Sequence, residues 1–285
     1  MARRPTFGDE PVSRLAAWSA RLALFALAVA ALSVIIVRSG LLEIEPSLAT
    51  FAAALIFAGL AVLLSFLAFV AIWRQGLSGL GSAILGLFLG LLLLGYPGYL
   101  GYRASKLPAI SDITTDPGNP PRFDVLARLR PRGSNDYPGA AVARAQRAAY
   151  PDIAPLQVNA PAKLAYDIAL ALVTKRKWHV VDARPPAAGR REAVIEAVAR
   201  TPIMGFRDDV VIRVSATGDG TRVDMRSASR YGRHDFGTNA ARIRSLLEDL
   251  DDALSSAPEP RPEPEKKPPP AKRQPARNKS NILNR

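Results

Sequence analysis

The chain has 285 residues with no Cys and two His, and 48% of its residues are hydrophobic. This composition excludes disulfides, Cys-ligated zinc, iron–sulfur clusters and a thiol nucleophile, and it argues against a His-rich metal site. The net charge of +13 divides into +4 for residues 1–106, +4 for 107–257 and +5 for 258–285, so no folded unit is basic enough to indicate nucleic-acid binding.

Three long apolar runs occupy the first part of the chain: Leu15–Val37, interrupted by Arg21, then Leu48–Trp73 and Leu77–Tyr102. Each exceeds the roughly 20 apolar residues that an α-helix needs to cross a bilayer core. The pattern predicts an integral membrane protein in which residues 1–106 form a three-helix anchor in the lipid bilayer. No Asp, Glu, Lys or His lies deep in a span, which argues against a transporter.

The distribution of charge around the spans indicates their orientation. Arg14 precedes the first span and Arg74 occupies the second loop, whereas the first loop carries Arg38 together with Glu43 and Glu45. Because cytoplasmic loops are enriched in Lys and Arg, this favours a cytoplasmic N-terminus. Three crossings then place the remainder of the chain in the periplasm or otherwise outside the cytoplasm of a multi-pass cell-membrane protein. Two basic residues directly after the third span argue mildly for the opposite orientation.

The third span carries small residues at four-residue spacing, namely Ser82, Gly86 and Gly90. Such a stripe lets helix backbones approach closely. Two interpretations remain open: packing against the other two spans, which we favour, or the seam of a homodimer. Pro97 is expected to kink or end this helix.

Residues 107–257 are predicted to form a soluble α+β domain. Residues 103–122 resemble an extended connector, and an antiparallel sheet of about four strands is covered by two helices. The predicted elements are a short helix at 140–150, a helix beginning after Asn159-Ala160-Pro161, strands at 178–183, 193–201, 210–215 and 222–230, and a helix at 238–254. The Pro-, Lys- and Arg-rich residues 258–285 are predicted to be a disordered tail.

A turn at 217–220 sets the register of the last two strands. Pairing Ala216 with Thr221 places apolar residues opposite one another on one face and Asp208 opposite Ser229. The core face therefore becomes polar at one end, through Asp208, Ser227 and Ser229.

The opposite face of this hairpin is charged, with Arg213 facing Asp224 and Asp209 diagonal to Arg226 and Arg230. One interpretation is a solvated face of surface ion pairs, which stabilise little. The other is an anion-binding face, because guanidinium forks suit phosphate and carboxylate.

The loop before the last helix adds His234, Asp235 and Asn239. Arg242 and Arg244 lie early in that helix, against its dipole, and with Arg230 and Arg233 could form a positive mouth. We assign no catalytic residue and no metal ligand. The candidate ligand-binding residues are Asp208, Asp209, Arg213, Arg226, Ser227, Ser229, Arg230, His234, Asp235 and Asn239.

Several separated motifs resemble an uncharacterised family, domain of unknown function 1499, over about residues 108–252. They lie at 110–116, 119–123, 150–156, 205–213, 226–230 and 235–240. The resemblance implies a bacterial-type or organellar envelope protein. It implies no activity, cofactor or catalytic residue.

Three functions stay open from sequence alone. The one we favour is a non-enzymatic binding module for an anionic lipid, a cell-wall fragment or a partner protein. The second is a hydrolase or transferase acting on an envelope substrate, with Asp208 as acid or base and Ser227 and Ser229 orienting the substrate. The third is a membrane scaffold or assembly factor that uses the spans and the tail.

Overall fold

The structure is a computed structural model that describes residues 11–40, 44–130 and 138–257. It begins with three long helices, α1 (Arg14–Ser39), α2 (Ile44–Gln75) and α3 (Leu80–Lys106). Each is long and apolar enough to cross a membrane, which confirms three long apolar helices in this part of the chain and makes them candidate membrane spans. The third helix does not end at Pro97 but continues to Lys106. The predicted tail lies outside the described residues.

The helix bundle buries small residues and exposes large ones. Ala23, Ala58 and Ala83 are fully buried where the helices meet, whereas the Phe66 and Phe88 side chains are 54% and 62% exposed. In water such an exterior would be unfavourable, but lipid tails are as apolar as these side chains. The distribution therefore fits helices that touch one another through small residues and lipid through large ones.

The small-residue stripe of α3 is used within the chain. A Cβ on Gly86 would lie 2.8 Å from the backbone carbon of Ser19, and one on Gly90 would lie 2.6 Å from Cγ2 of Val62. These contacts agree with packing against the other two spans. A homodimer seam through Ser82, Gly86 and Gly90 stays a prediction.

The far end of α1 contacts the rest of the chain directly. Arg38 Nη1 donates to the carbonyl oxygens of Pro202, at 2.7 Å, and Ile203, at 3.0 Å, and Arg200 Nη1 donates to the Arg38 carbonyl at 3.1 Å. At the other end of the bundle, Ser13 N donates to the carbonyl of Ser78 at 2.9 Å. The domain that follows α3 therefore lies at the end of the bundle opposite residues 11–13.

This domain is α+β, as predicted. Its sheet is antiparallel with the order β1-β6-β5-β4-β3, and β2 also pairs with β6. The elements in chain order are β1 (Asp112–Thr114), α4 (Val125–Leu129), α5 (Ala140–Ala149), β2 (Leu156–Val158), α6 (Ala162–Lys175), β3 (His179–Arg184), β4 (Glu192–Arg200), β5 (Arg207–Thr217), β6 (Gly220–Ser229) and α7 (Thr238–Ser255). The sheet has two strands more than predicted, and both are too short to show an alternating pattern.

The register of the β5–β6 hairpin is the predicted one, with Ala216 opposite Thr221 and Asp208 opposite Ser229. Helices α6 and α7 cover the face that carries Ile212 and Met225, both fully buried. Gly220 has a φ of 137°, and a Cβ there would lie 2.3 Å from the carbonyl oxygen of Val158. The turn residue is therefore constrained by strand β2 as well as by its own backbone.

The charged face of the sheet is buried, not solvated as one interpretation of the sequence had it. Asp209 and Asp224 are at most 1% exposed, and Arg226 is 6% exposed. The segment predicted as an extended connector lies across this face: the carbonyl of Asn119 accepts from Arg213 at 3.0 Å, and that of Pro121 accepts from Arg226 at 3.3 Å. Buried guanidinium groups need such acceptors because an unpaired buried charge is costly.

Candidate functional site

The polar end of the core face forms one buried cluster. Ser227 Oγ donates to Asn239 Oδ1 at 2.7 Å, and Asn239 Nδ2 donates to Ser229 Oγ and to the Ser111 carbonyl, both at 3.0 Å. The two serines lie two residues apart on β6 and therefore share one face of the sheet, and the first turn of α7 adds Asn239 above them. The structure thus unites candidates that the sequence had placed on two separate elements.

Arg242 completes this cluster. Its Nη2 lies 2.6 Å from Asp208 Oδ2, and its Nη1 lies 2.8 Å from Ser227 Oγ. Both partners in the ion pair are nearly inaccessible, with Arg242 at 8% and Asp208 at 2% side-chain exposure. The Asp208 carboxylate therefore already has a cationic partner in this structure.

Asp235 organises the start of α7. Its two carboxylate oxygens accept from the backbone N–H groups of Gly237 and Asn239, each at 2.9 Å. The chain reaches this geometry through positive φ values at Phe236 (54°) and Gly237 (78°). Burial raises the pKa of Asp235 above its ordinary value, although the two backbone donors act in the opposite direction.

His234 has a defined tautomer in this arrangement. Its Nδ1 accepts from the Phe236 N–H at 2.9 Å, so in the neutral ring the proton is on Nε2, which lies 3.2 Å from the Leu107 carbonyl. The ring also stacks on Phe236 with centroids 4.8 Å apart. These contacts give His234 a role in fixing the loop against the end of α3.

The remaining candidates lie on the other face of the sheet, apart from this cluster. Asp209 receives Arg230 Nη2 at 2.7 Å and Arg130 Nε at 2.9 Å. Arg213 pairs with Asp224 at 3.0 Å, which confirms that predicted ion pair. The predicted mouth of four arginines is not formed, because each of its members except Arg233 has a separate carboxylate partner in the described structure: Arg230 with Asp209, Arg242 with Asp208 and Arg244 with Asp152.

A crevice lies between the spans and the polar cluster. It has a volume of about 370 Å³, within the range of small-molecule sites. One wall is apolar and comes from Leu48 of α2 and Leu100 of α3, and the other is polar and includes Asp208, Ser229 and Asp235. Arg207 and Arg233 are exposed residues that also line it, and they have no carboxylate partner among the described residues.

No group of three or more His, Asp or Glu side chains in the described parts of the chain could hold a metal ion. What the crevice offers instead is two guanidinium groups, hydroxyls and an apolar wall. Its two carboxyl groups already have partners, since Asp208 is paired with Arg242 and Asp235 accepts from two backbone N–H groups. An amphiphile with an anionic head group has the matching chemistry.

Comparison with protein families identifies the domain that forms one side of this crevice. The family described as protein of unknown function, DUF1499, matches residues 112–250. Residues 112–250 form a DUF1499 domain. The match confirms the family resemblance, and the three spans lie outside it.

No curated protein matches the chain. Two similar solved structures are protein MLL2253 from Mesorhizobium loti, at 15% identity, and the di-domain ARO/CYC BexL from the BE-7585A biosynthetic pathway, at 16%. The alignments cover 34% and 36% of this chain, and 93% and 49% of those chains, so only about half of BexL is spanned. Both TM-scores are 0.22, and a structural similarity this low supports no inference from those proteins to this chain.

Sequence analysis missed the loop between β4 and β5 of the DUF1499 domain. This loop brings Ile203, Met204 and Phe206 to the crevice, beside the residues from the spans. A signal was present, because a strand connection this apolar is unusual for a loop surrounded by water. Arg207 belongs to the family motif at 205–213. Its position beside the spans was not predictable, because it depends on how the domain meets α1.

Proposed function

We propose that this protein is a non-enzymatic binding module that holds an anionic amphiphile in the crevice between its membrane spans and its DUF1499 domain. The observation that carries the proposal is the crevice itself, which is lined by Arg207 and Arg233 together with the apolar surfaces of α2 and α3. A lipid could place its head group beside these cations and its acyl chain against the spans.

Contacts within the polar cluster favour binding over catalysis. Asp208, the residue we considered as an acid or base, is held by Arg242 at 2.6 Å and is buried. Ser227 donates to Asn239, and Arg242 donates in turn to Ser227, so its hydroxyl is already committed on both sides. The cluster thus supports the crevice wall rather than presenting a free nucleophile.

The charge pattern around the spans supports a cytoplasmic N-terminus and an extracytoplasmic DUF1499 domain in this proposal. Residues 107–257 would then be the unit that projects from the membrane, and the crevice would lie at the level of the outer leaflet of the membrane. Addition of a membrane-impermeant lysine reagent to intact cells would label Lys163 and Lys177 from outside if this orientation is right. Labelling that required cell lysis would reverse it.

A lipid-retention experiment tests the crevice. The intact protein is reconstituted in phosphatidylcholine vesicles that contain a minor fraction of phosphatidylglycerol, extracted gently, and examined by native mass spectrometry. We expect the unchanged protein to retain phosphatidylglycerol. The retained amount should fall at least about tenfold in the Arg207→Gln/Arg233→Gln variant, because each charge-assisted hydrogen bond contributes about 1.5–3 kcal/mol.

The matched control is Arg144→Gln/Arg191→Gln, which removes the same charge from two exposed positions outside the crevice. It should retain the lipid as the unchanged protein does. Equal losses in both double variants, or no retained anionic lipid in any of them, would refute the proposal.

A further inference from the structure

A second cavity, the basic groove, lies on the opposite side of the sheet, at its membrane end. It has a volume of about 680 Å³ and is bounded by the end of α1, by β3 and β4, and by α4. It is strongly basic, and no Asp or Glu of the described chain lines it. The cationic lining residues are Arg38, Arg176, Lys177, Arg200, Arg207 and Arg230.

Two of these six cations are paired with carboxylates within the chain. Arg176 Nη2 lies 2.5 Å from Asp249, and Arg230 Nη2 lies 2.7 Å from Asp209. Asp209 is shared with Arg130, so the charge of Arg230 is compensated in part, and the charge of the groove rests mainly on the other four cations.

The other four lack a carboxylate partner in the described structure. Arg38 and Arg200 donate only to backbone carbonyls, which position a guanidinium but leave its charge uncompensated. Lys177 and Arg207 are exposed. Like charges that converge on one cavity repel one another, and an anion between them would relieve that repulsion.

The position of the groove indicates where such an anion would come from. Arg38 lies in the last turn of α1, a candidate span, and basic side chains at span ends reach the level of the lipid head groups. In a bilayer crossed by α1 the groove would lie at the level of the lipid phosphates, and anionic leaflets attract clusters of Lys and Arg.

We infer that this groove is a second anion site that binds phosphate groups through Arg38, Lys177, Arg200 and Arg207. Of these four residues only Arg207 also lines the crevice. The phosphate can belong to a lipid head group of the adjacent leaflet or to a soluble phosphorylated molecule. The inference does not require the crevice to hold a ligand.

Trp178 provides an internal probe because it lines the groove, whereas Trp18 and Trp73 belong to the spans. The intact protein with Trp18→Phe and Trp73→Phe is reconstituted in nanodiscs of phosphatidylcholine, and its fluorescence is followed during titration with inorganic pyrophosphate at constant ionic strength. We expect a saturable change.

The groove variant is Lys177→Asn/Arg200→Gln in the same background. Asn is chosen because Lys177 has a φ of 56°, a conformation that Asn tolerates. The pyrophosphate concentration at the midpoint of the titration should rise at least about tenfold, since two of the four cations are removed. Arg207 is left unchanged because it also lines the crevice, so a failure here is separable from a failure of the proposed function.

The control Arg144→Gln/Arg191→Gln should leave the midpoint unchanged, and thermal unfolding checks that each variant is folded. Repeating the titration in nanodiscs that contain phosphatidylglycerol separates the two sources. A pyrophosphate midpoint higher than in phosphatidylcholine nanodiscs assigns the groove to lipid head groups. An unchanged midpoint assigns it to a soluble phosphate. Absence of a saturable response, or a response that a folded groove variant retains in full, overturns the inference. If the first variant does not fold, Arg200→Lys/Lys177→Asn removes one cation and replaces the planar guanidinium by an ammonium group, and its midpoint should rise by a smaller factor.

Discussion

Arg226 and Asp112 are joined by two hydrogen bonds in the interior of the DUF1499 domain, with Nε 2.9 Å from Oδ1 and Nη2 2.6 Å from Oδ2. The guanidinium also lies over the ring of Phe123, 4.5 Å from its centroid. Burial raises the pKa of Asp112, and the neighbouring Arg226 acts against that rise. The pair links strand β1 to β6 beneath the segment that crosses the sheet.

We expect Arg226→Met to destabilise the domain by about 3–5 kcal/mol, because it leaves the Asp112 carboxylate buried without its partner. The double variant Asp112→Leu/Arg226→Met should be less destabilised than this single variant. Thermal unfolding of the purified protein measures both. This expectation differs from that for a ligand-binding Arg226, whose replacement would leave the unfolding temperature unchanged.

Glu196 holds the short helix α4 against the sheet. Its carboxylate accepts from the backbone N–H groups of Asp124, at 2.9 Å, and Leu126, at 2.8 Å. Glu196→Ala should destabilise this attachment by about 1–3 kcal/mol, because buried donors lose their acceptor. Hydrogen–deuterium exchange should accelerate in residues 123–129 first.

The matched control is Glu192→Ala on the same strand, where the side chain is 49% exposed and lies 3.9 Å from Arg213. A surface ion pair of this kind contributes less than about 1 kcal/mol. Equal effects of the two substitutions on exchange in residues 123–129 would contradict the assigned role of Glu196.

Gly86 allows α3 to approach α1. Gly86→Ala should lower the stability of the bundle by about 1–3 kcal/mol, because the added methyl would overlap the backbone of Ser19. Gly95→Ala is the control, since nothing lies within 4 Å of its Cβ position. Fluorescence-detected size-exclusion chromatography after heating compares them, and a Gly95 variant as unstable as the Gly86 variant would argue against this packing.

Asp235 should make stability depend on pH. Since burial raises its pKa in the folded state above its ordinary value, the folded protein binds this proton more tightly than the unfolded chain does. The contribution of Asp235 to the free energy of unfolding therefore falls as pH rises from about 4 through its folded pKa. It is constant at higher pH.

Asp235→Asn removes this titration while keeping one acceptor for the backbone of α7. The difference in unfolding free energy between the unchanged protein and the variant should therefore be larger near pH 4 than at neutral pH. Denaturant unfolding across this pH range measures it. A difference that grows with rising pH would show that the folded-state pKa is lowered instead.

Local patterns in the sequence determined the spans and the last hairpin. An apolar run long enough to cross a bilayer needs no tertiary information, and the turn at 217–220 with period-two alternation fixes which residues of β5 and β6 face one another. The polar end at Asp208, Ser227 and Ser229 followed from that register, and the family resemblance followed from motifs alone.

Only the tertiary structure decided what covers each surface and which polar groups meet. Strands β1 and β2 have three residues each and exist because the edge of β6 offers them hydrogen bonds. The charged face is buried because a distant segment crosses it. The crevice forms where α2 and α3 meet loops far away in sequence, and the basic groove forms where the end of α1 meets β3, β4 and α4. Such contacts depend on long-range packing, which no local pattern of residues encodes.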